Sequence, residues 1–155
     1  MPFFTTRGHR LFYREQGAGR LLLILPGNTA SSACHGGELE YFGARRRAVA
    51  LDLWGSGQSD RLPVWPADWW EQGARDAAKL VDRLGCSDAI VMGTSGGAIA
   101  ALLMAGLYPE RVRAVIADSA VSRLAAPALS REVENRRRRT PDSKGACAKW
   151  WEHNG

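Results

Sequence analysis

The sequence predicts an α/β fold with a mostly parallel sheet and helices on both faces, and three observations carry that prediction. Short apolar runs, Leu21–Leu25 foremost, read as strands buried on both sides. Stretches of helical length and helical periodicity separate them. Glycine, proline and aspartate fill the joints between the two kinds of segment. Strand and helix in alternation require βαβ crossovers, and crossovers lay strands parallel with helices packed over the sheet.

Each element follows from local pattern. Phe3–Thr6 and residues 10–15 alternate apolar and polar positions around Gly8-His9, which predicts an opening antiparallel hairpin. Gly17-Ala18-Gly19 turns the chain into the run Leu21–Leu25, which Pro26-Gly27 ends. Residues 38–46 have the length of a short helix, and residues 47–52 read as a second buried strand. Residues 63–68 form a loop whose Asp68 can start a helix over 69–84, ended by Gly85. Its expected buried stripe is Trp70, Ala74, Ala77, Ala78, Val81 and Leu84. A strand over 89–92, a helix over 97–107 stopped by Tyr108-Pro109, and a strand over 112–117 complete the series. The core region therefore spans residues 1–122. Residues 123–155 are a separate basic stretch that does not read as a packed layer.

Composition narrows the function classes. With 155 residues, 45% hydrophobic and 24% charged, the chain suits one globular domain. Its three cysteines are far apart and form no Cys-x-x-Cys pair, so neither a zinc site nor a disulfide framework is expected. No metal or cofactor is expected. The start lacks a basic stretch followed by a long apolar one, and no run approaches the roughly 20 residues that span a bilayer, so the expected location is cytoplasmic, away from membranes. The net charge of +5 is uneven: residues 1–120 hold 13 Lys and Arg against 12 Asp and Glu, whereas residues 121–155 hold 8 against 4. Arg136–Arg139 dominate that second part, with Glu132 and Glu134 one turn away. No aromatic interleaving accompanies the arginines, so they read as a solvated face and a nucleic-acid partner is not expected.

The chemistry is concentrated where strands end, which is where open α/β sheets bind ligands. Gly93-Thr94-Ser95-Gly96-Gly97 follows an apolar strand and opens a helix. A sharp turn there lifts the serine hydroxyl above the sheet, and glycines avoid the clash that a Cβ would make between strand and helix. An acyl-transfer site also needs two N–H donors for the developing oxyanion. The Gly96 N–H supplies one, and the loop Pro26-Gly27-Asn28-Thr29 supplies the other at Asn28. The glycine-rich segment 52–60 reads as structural: Asp52 and Ser59 can bond backbone groups within its turns, and no phosphate-loop pattern is present.

In combination, Leu-Pro-Gly-Asn (25–28), Asp-x-x-Gly-x-Gly-x-Ser-Asp (52–60), Gly-x-Ser-x-Gly (93–97) and Tyr-Pro-Glu-Arg-Val (108–112) resemble the α/β-hydrolase superfamily, especially lidded serine hydrolases of the esterase and C–C hydrolase type. The likeness covers about residues 3–122. It implies an eight-stranded α/β-hydrolase fold of which this chain supplies six strands, with Ser95 as nucleophile and the Asn28 and Gly96 amides as the oxyanion hole. Residues 123–155 would begin the lid.

The resemblance also implies an acid after strand seven and a histidine after strand eight, neither of which this chain has. Asp118 is the one candidate acid, although capping of the next turn is the preferred reading. His9 and His35 precede the nucleophile, and His153 stands where the lid would begin. The expectation is thus an N-terminal fragment of a serine hydrolase, weakly active or inactive alone, whose substrate would be a small hydrophobic ester. Leu53, Trp54 and Trp65 favour that acyl class. The alternative is a non-catalytic module that docks a partner on the open edge of the last strand, with self-association as one form of it.

Overall fold

A computed structural model describes residues 2–120. Six strands form one sheet: β1 (Phe3–Thr6), β2 (His9–Gln16), β3 (Leu21–Leu25), β4 (Arg47–Leu51), β5 (Ala89–Thr94) and β6 (Val112–Asp118), in spatial order β1-β2-β4-β3-β5-β6. The first two pairings, β1 with β2 and β2 with β4, are antiparallel, and the other three are parallel. Helices α1 (Gly36–Gly43), α2 (Trp69–Arg83) and α3 (Gly96–Leu107) provide the crossovers. The element order and the mixed, mainly parallel sheet are as the sequence predicts.

The opening hairpin turns at Arg7-Gly8, both with positive φ (48° and 84°), and Thr6 pairs with His9. Two residues of this hand match the twist of a tight hairpin. In β3 every side chain is buried. Leu21, Leu23 and Leu25 join the larger core under α2 and α3, whereas Leu22 and Ile24 pack with Leu39 of α1 on the opposite face. That division explains the unbroken apolar run, because a strand with helices on both sides has no solvent face.

Helix α2 shows where helical phase overrides a simple reading. Trp69 is buried and donates its indole N–H to the Trp54 carbonyl at 2.8 Å, whereas Trp70 is 37% exposed. Ala74, Ala77, Ala78 and Val81 are buried as expected, and Gly73 and Leu80 join them, with Trp69 taking the place of the expected Trp70. Leu84 ends up half-buried at the cap. Asp76 shares the buried face. It accepts two bonds from Arg7 and lies 3.3 Å from the His9 ring, which stacks on Trp54 at 4.2 Å. A buried carboxylate is tolerated when its lone pairs are met in this way.

At the far side of the sheet β6 pairs only with β5 among the described residues, and Ile116 is 45% exposed. Arg113 forms a two-pronged bond to Asp88 and holds that carboxyl below the usual carboxylate range. Among the described residues no helix is long and apolar enough to cross a membrane. The basic stretch 123–155 lies outside the described residues.

Candidate active site

From β3 the chain crosses by α1 to one side of the sheet, and from β5 it crosses by α3 to the other. Neighbouring strands that feed opposite sides leave a crevice above their carboxyl ends. Leu25 of β3 lies beside Gly93 of β5, so the 26–31 loop and the turn at Ser95 rise together from that crevice.

Ser95 sits between β5 and α3 with φ 55° and ψ −118°. Side chains rarely adopt this conformation, which costs about 1–3 kcal/mol and persists only where the surroundings enforce it. Here they do. The Ser95 N–H donates to the Asp118 carbonyl at 2.8 Å, and the Ser95 carbonyl accepts from the N–H groups of Ala98 and Ile99. The flanking glycines have steric reasons to be glycine. A Cβ on Gly93 would strike the Gly97 backbone, and one on Gly97 would strike the carbonyls of Leu25 and Pro26. A Cβ on Gly27 would meet the Thr94 carbonyl at 3.2 Å and the Ser95 Cβ at 3.4 Å, so the two loops are in direct contact.

The 26–31 loop is strained as well. An Ala30 N–H to Gly27 carbonyl bond of 3.1 Å closes a turn with Asn28 and Thr29 at its centre, and Thr29 has φ 66°. For a β-branched residue that is an outlier. Four non-glycine residues have positive φ among those described: Arg7, Thr29, Ser95 and Ser119. Three of the four follow β3, β5 and β6 at the same end of the sheet, and strain gathered in one crevice points to function rather than to packing.

Gly96 is buried in the first turn of α3, where helical N–H groups have no partner within the helix. Asn28 lies against it: a Cβ on Gly96 would overlap the Asn28 Oδ1 and come within 2.9 Å of the Trp70 Nε1. Trp70 donates its indole N–H to that Oδ1 at 3.0 Å. Sequence reasoning brings Ser95, Gly96 and Asn28 together, and so does the fold. It misses Trp70, which stands 42 positions from Asn28 and carries no local signal beyond an indole in the first turn of a helix.

The remaining candidates are tied elsewhere. The exposed Asp118 carboxylate accepts from the Ser119 hydroxyl at 3.1 Å, a local turn contact, and neither His9 nor His35 is among its partners. His9 engages Asp76, and His35 engages Glu38 at 3.2 Å. His153 lies outside the described residues. Of the three apolar residues expected beside the site, Leu53 is instead core, 2% exposed, with its methyls over Gly73. Trp54 is half-buried against His9, and Trp65 packs edge-on to Trp69.

A strained serine between strand and helix, beside a second strained loop at the ends of β3 and β5, marks the candidate site of an α/β protein. Residues 20–146 match the family described as alpha/beta hydrolase fold, and the chain belongs to that family. It is 35% identical over 106 residues to a 2-(acetamidomethylene)succinate hydrolase of Mesorhizobium japonicum, covering 67% of this chain and 37% of that protein. To the serine hydrolase BPHL of Homo sapiens it is 33% identical over 114 residues, 70% of this chain and 39% of that one. Among solved structures, the N-acyl homoserine lactonase AidH complexed with N-butanoyl homoserine superposes with a TM-score of 0.70 at 30% identity, over 76% of this chain and 44% of that one. The chain thus spans about two fifths of the length of the curated relatives it matches.

Proposed function

We propose that this chain carries the nucleophile half of a hydrolase site for esters or related acyl bonds of small hydrophobic substrates. Ser95 is the nucleophile, and the N–H groups of Gly96 and Asn28 receive the oxyanion. The observation that carries this reading is the Ser95 backbone, held at φ 55° immediately before the Gly96 amide, which opens α3 and has no partner within the helix. Hydrolase relatives, one of them named a serine hydrolase, support it. A serine hydroxyl is a weak nucleophile until a base takes its proton. Both described histidines are engaged away from Ser95, so the 155 residues alone turn over weakly or not at all. Loss of a triad histidine leaves only the oxyanion and binding contributions.

A fluorophosphonate probe, applied with excess imidazole to supply the base that neither described histidine brings to Ser95, tests the nucleophile without requiring turnover. The expected result is a single adduct, mapped by mass spectrometry to the peptide containing Ser95 and absent from Ser95→Ala. An adduct elsewhere, or none, overturns the assignment. Hydrolysis of p-nitrophenyl acetate should match the Ser95→Ala control, and clear Ser95-dependent turnover would show that the chain holds its own base.

A second reading rests on β6, whose outer edge is unpaired among the described residues and whose Ile116 is 45% exposed. Unpaired edges recruit further strands. On that reading β6 joins two copies of the chain. Light scattering should then report a dimer or larger species that Ile116→Lys returns to monomer, and a monomeric wild-type chain would dispose of it.

A further inference from the structure

The contact between Trp70 and Asn28 has a geometry that general packing does not require. Asn28 Oδ1 lies directly over Gly96, at the place a Cβ would occupy, and the Trp70 Nε1 reaches the same spot. Indole N–H can only donate, so it fixes the carboxamide with its oxygen toward Trp70. That oxygen is a strong acceptor beside the α3 N-terminus, where the Gly96 N–H has no helical partner. Left to itself, an acceptor in this position would turn onto the nearest free donor, since a buried N–H without a partner is unfavourable. The structure shows no such bond: Asn28 Oδ1 is engaged by Trp70 at 3.0 Å instead.

We propose that Trp70 is a positioning residue of the Ser95 site: its indole N–H holds the Asn28 carboxamide oxygen and so keeps that acceptor from closing onto the Gly96 N–H. This rests on the reading of Ser95 as nucleophile and Gly96 as oxyanion donor. It adds a residue from α2 to a site otherwise built from the ends of β3 and β5. The same bond braces the strained turn at Thr29, because Asn28 is that turn's other central residue. Without the indole N–H, Asn28 Oδ1 fills the oxyanion position from within, and the site blocks itself. Gly96 is what admits the arrangement, as any larger residue would displace both partners.

The test uses the full 155-residue chain labelled with 15N. In Trp70→Phe the ring is kept and the donor lost. The Gly96 amide resonance is expected to move downfield and its exchange with solvent to slow, as it gains an internal acceptor. Fluorophosphonate labelling of Ser95, again with imidazole as the base, is expected to slow about a hundredfold, the lower end for losing one oxyanion donor. The distinctive outcome is rescue. Asn28→Ala keeps the backbone N–H but removes the intruding oxygen, so Trp70→Phe with Asn28→Ala should label faster than Trp70→Phe alone. A merely structural Trp70 would make the double variant equal or worse, and that result overturns the proposal. So does a Gly96 resonance unmoved in Trp70→Phe. Trp70 is partly exposed, so the urea midpoint should hold. If wild-type Ser95 does not label at all, the nucleophile reading fails, while the Gly96 resonance still decides the role of Trp70.

Discussion

Two glycine-rich loops leave neighbouring parts of the same sheet edge and have opposite designs. The loop after β4, residues 52–60, is closed on itself. Asp52 is 2% exposed, and its two carboxylate oxygens accept the N–H groups of Ser32 at 2.5 Å and Gln58 at 2.8 Å. Ser59 donates to the Asp52 carbonyl at 2.6 Å and accepts from the Phe12 N–H at 2.9 Å. Gly57, with φ 50°, leaves room for the Asp52 carboxylate. The turn after β5 instead holds a serine in an unfavourable conformation and leaves the N–H groups that open α3 without helical partners. One loop turns its polar side chains onto its own backbone; in the other, on the function proposed above, the N–H groups that open α3 are left to a substrate. Glycine content alone does not distinguish a structural loop from a catalytic one. Where the hydrogen bonds go does.

The largest effect should come from breaking the closed loop. Asp52→Ala strands two backbone N–H groups and opens the join between the β4 loop and the segment before α1. Buried donors left unsatisfied cost about 1–3 kcal/mol each, so the chain should lose about 3 kcal/mol of stability. Urea unfolding followed by tryptophan fluorescence would register this as a lower midpoint with an unchanged slope. An unshifted midpoint would mean that the loop's bonds are replaceable by water, and the contrast between the loops would collapse.

Much of this was legible in the sequence because it is local. The run Leu21–Leu25 declares a strand buried on both faces, and Gly-x-Ser-x-Gly between a strand and a helix declares the turn. The structural reading of Asp52 and Ser59 was available from residue type, since short polar side chains bond nearby backbone. What the sequence concealed depends on helical phase and on distance along the chain. Trp69 and Trp70 are adjacent and identical, and only the packing of α2 decides that the first enters the core and the second reaches Asn28. Leu53 likewise reads as a site residue from its place beside Trp54, yet alternation at the end of a strand turns it inward onto Gly73. Pairings such as Arg7 with Asp76, 69 positions apart, leave no pattern in a single sequence.

A smaller effect, of opposite sign, sharpens the comparison. Ser95→Gly removes the side chain that makes φ 55°, ψ −118° unfavourable, because glycine visits the mirror of the extended region freely. Relief of about 1–3 kcal/mol of strain is partly offset by the greater freedom of glycine in the unfolded chain, about 0.5–1 kcal/mol. A net gain of about 1 kcal/mol is expected, seen as a higher urea midpoint, together with complete loss of fluorophosphonate labelling. Stability and reactivity would then move in opposite directions at one atom group, which is what a residue held in strain for chemistry requires and a packing residue does not. If Ser95→Gly instead destabilised the chain, the serine would be contributing to the fold as Asp52 does. The turn after β5 would then belong with the closed loop, and the physical case for Ser95 as a nucleophile would lose its foundation.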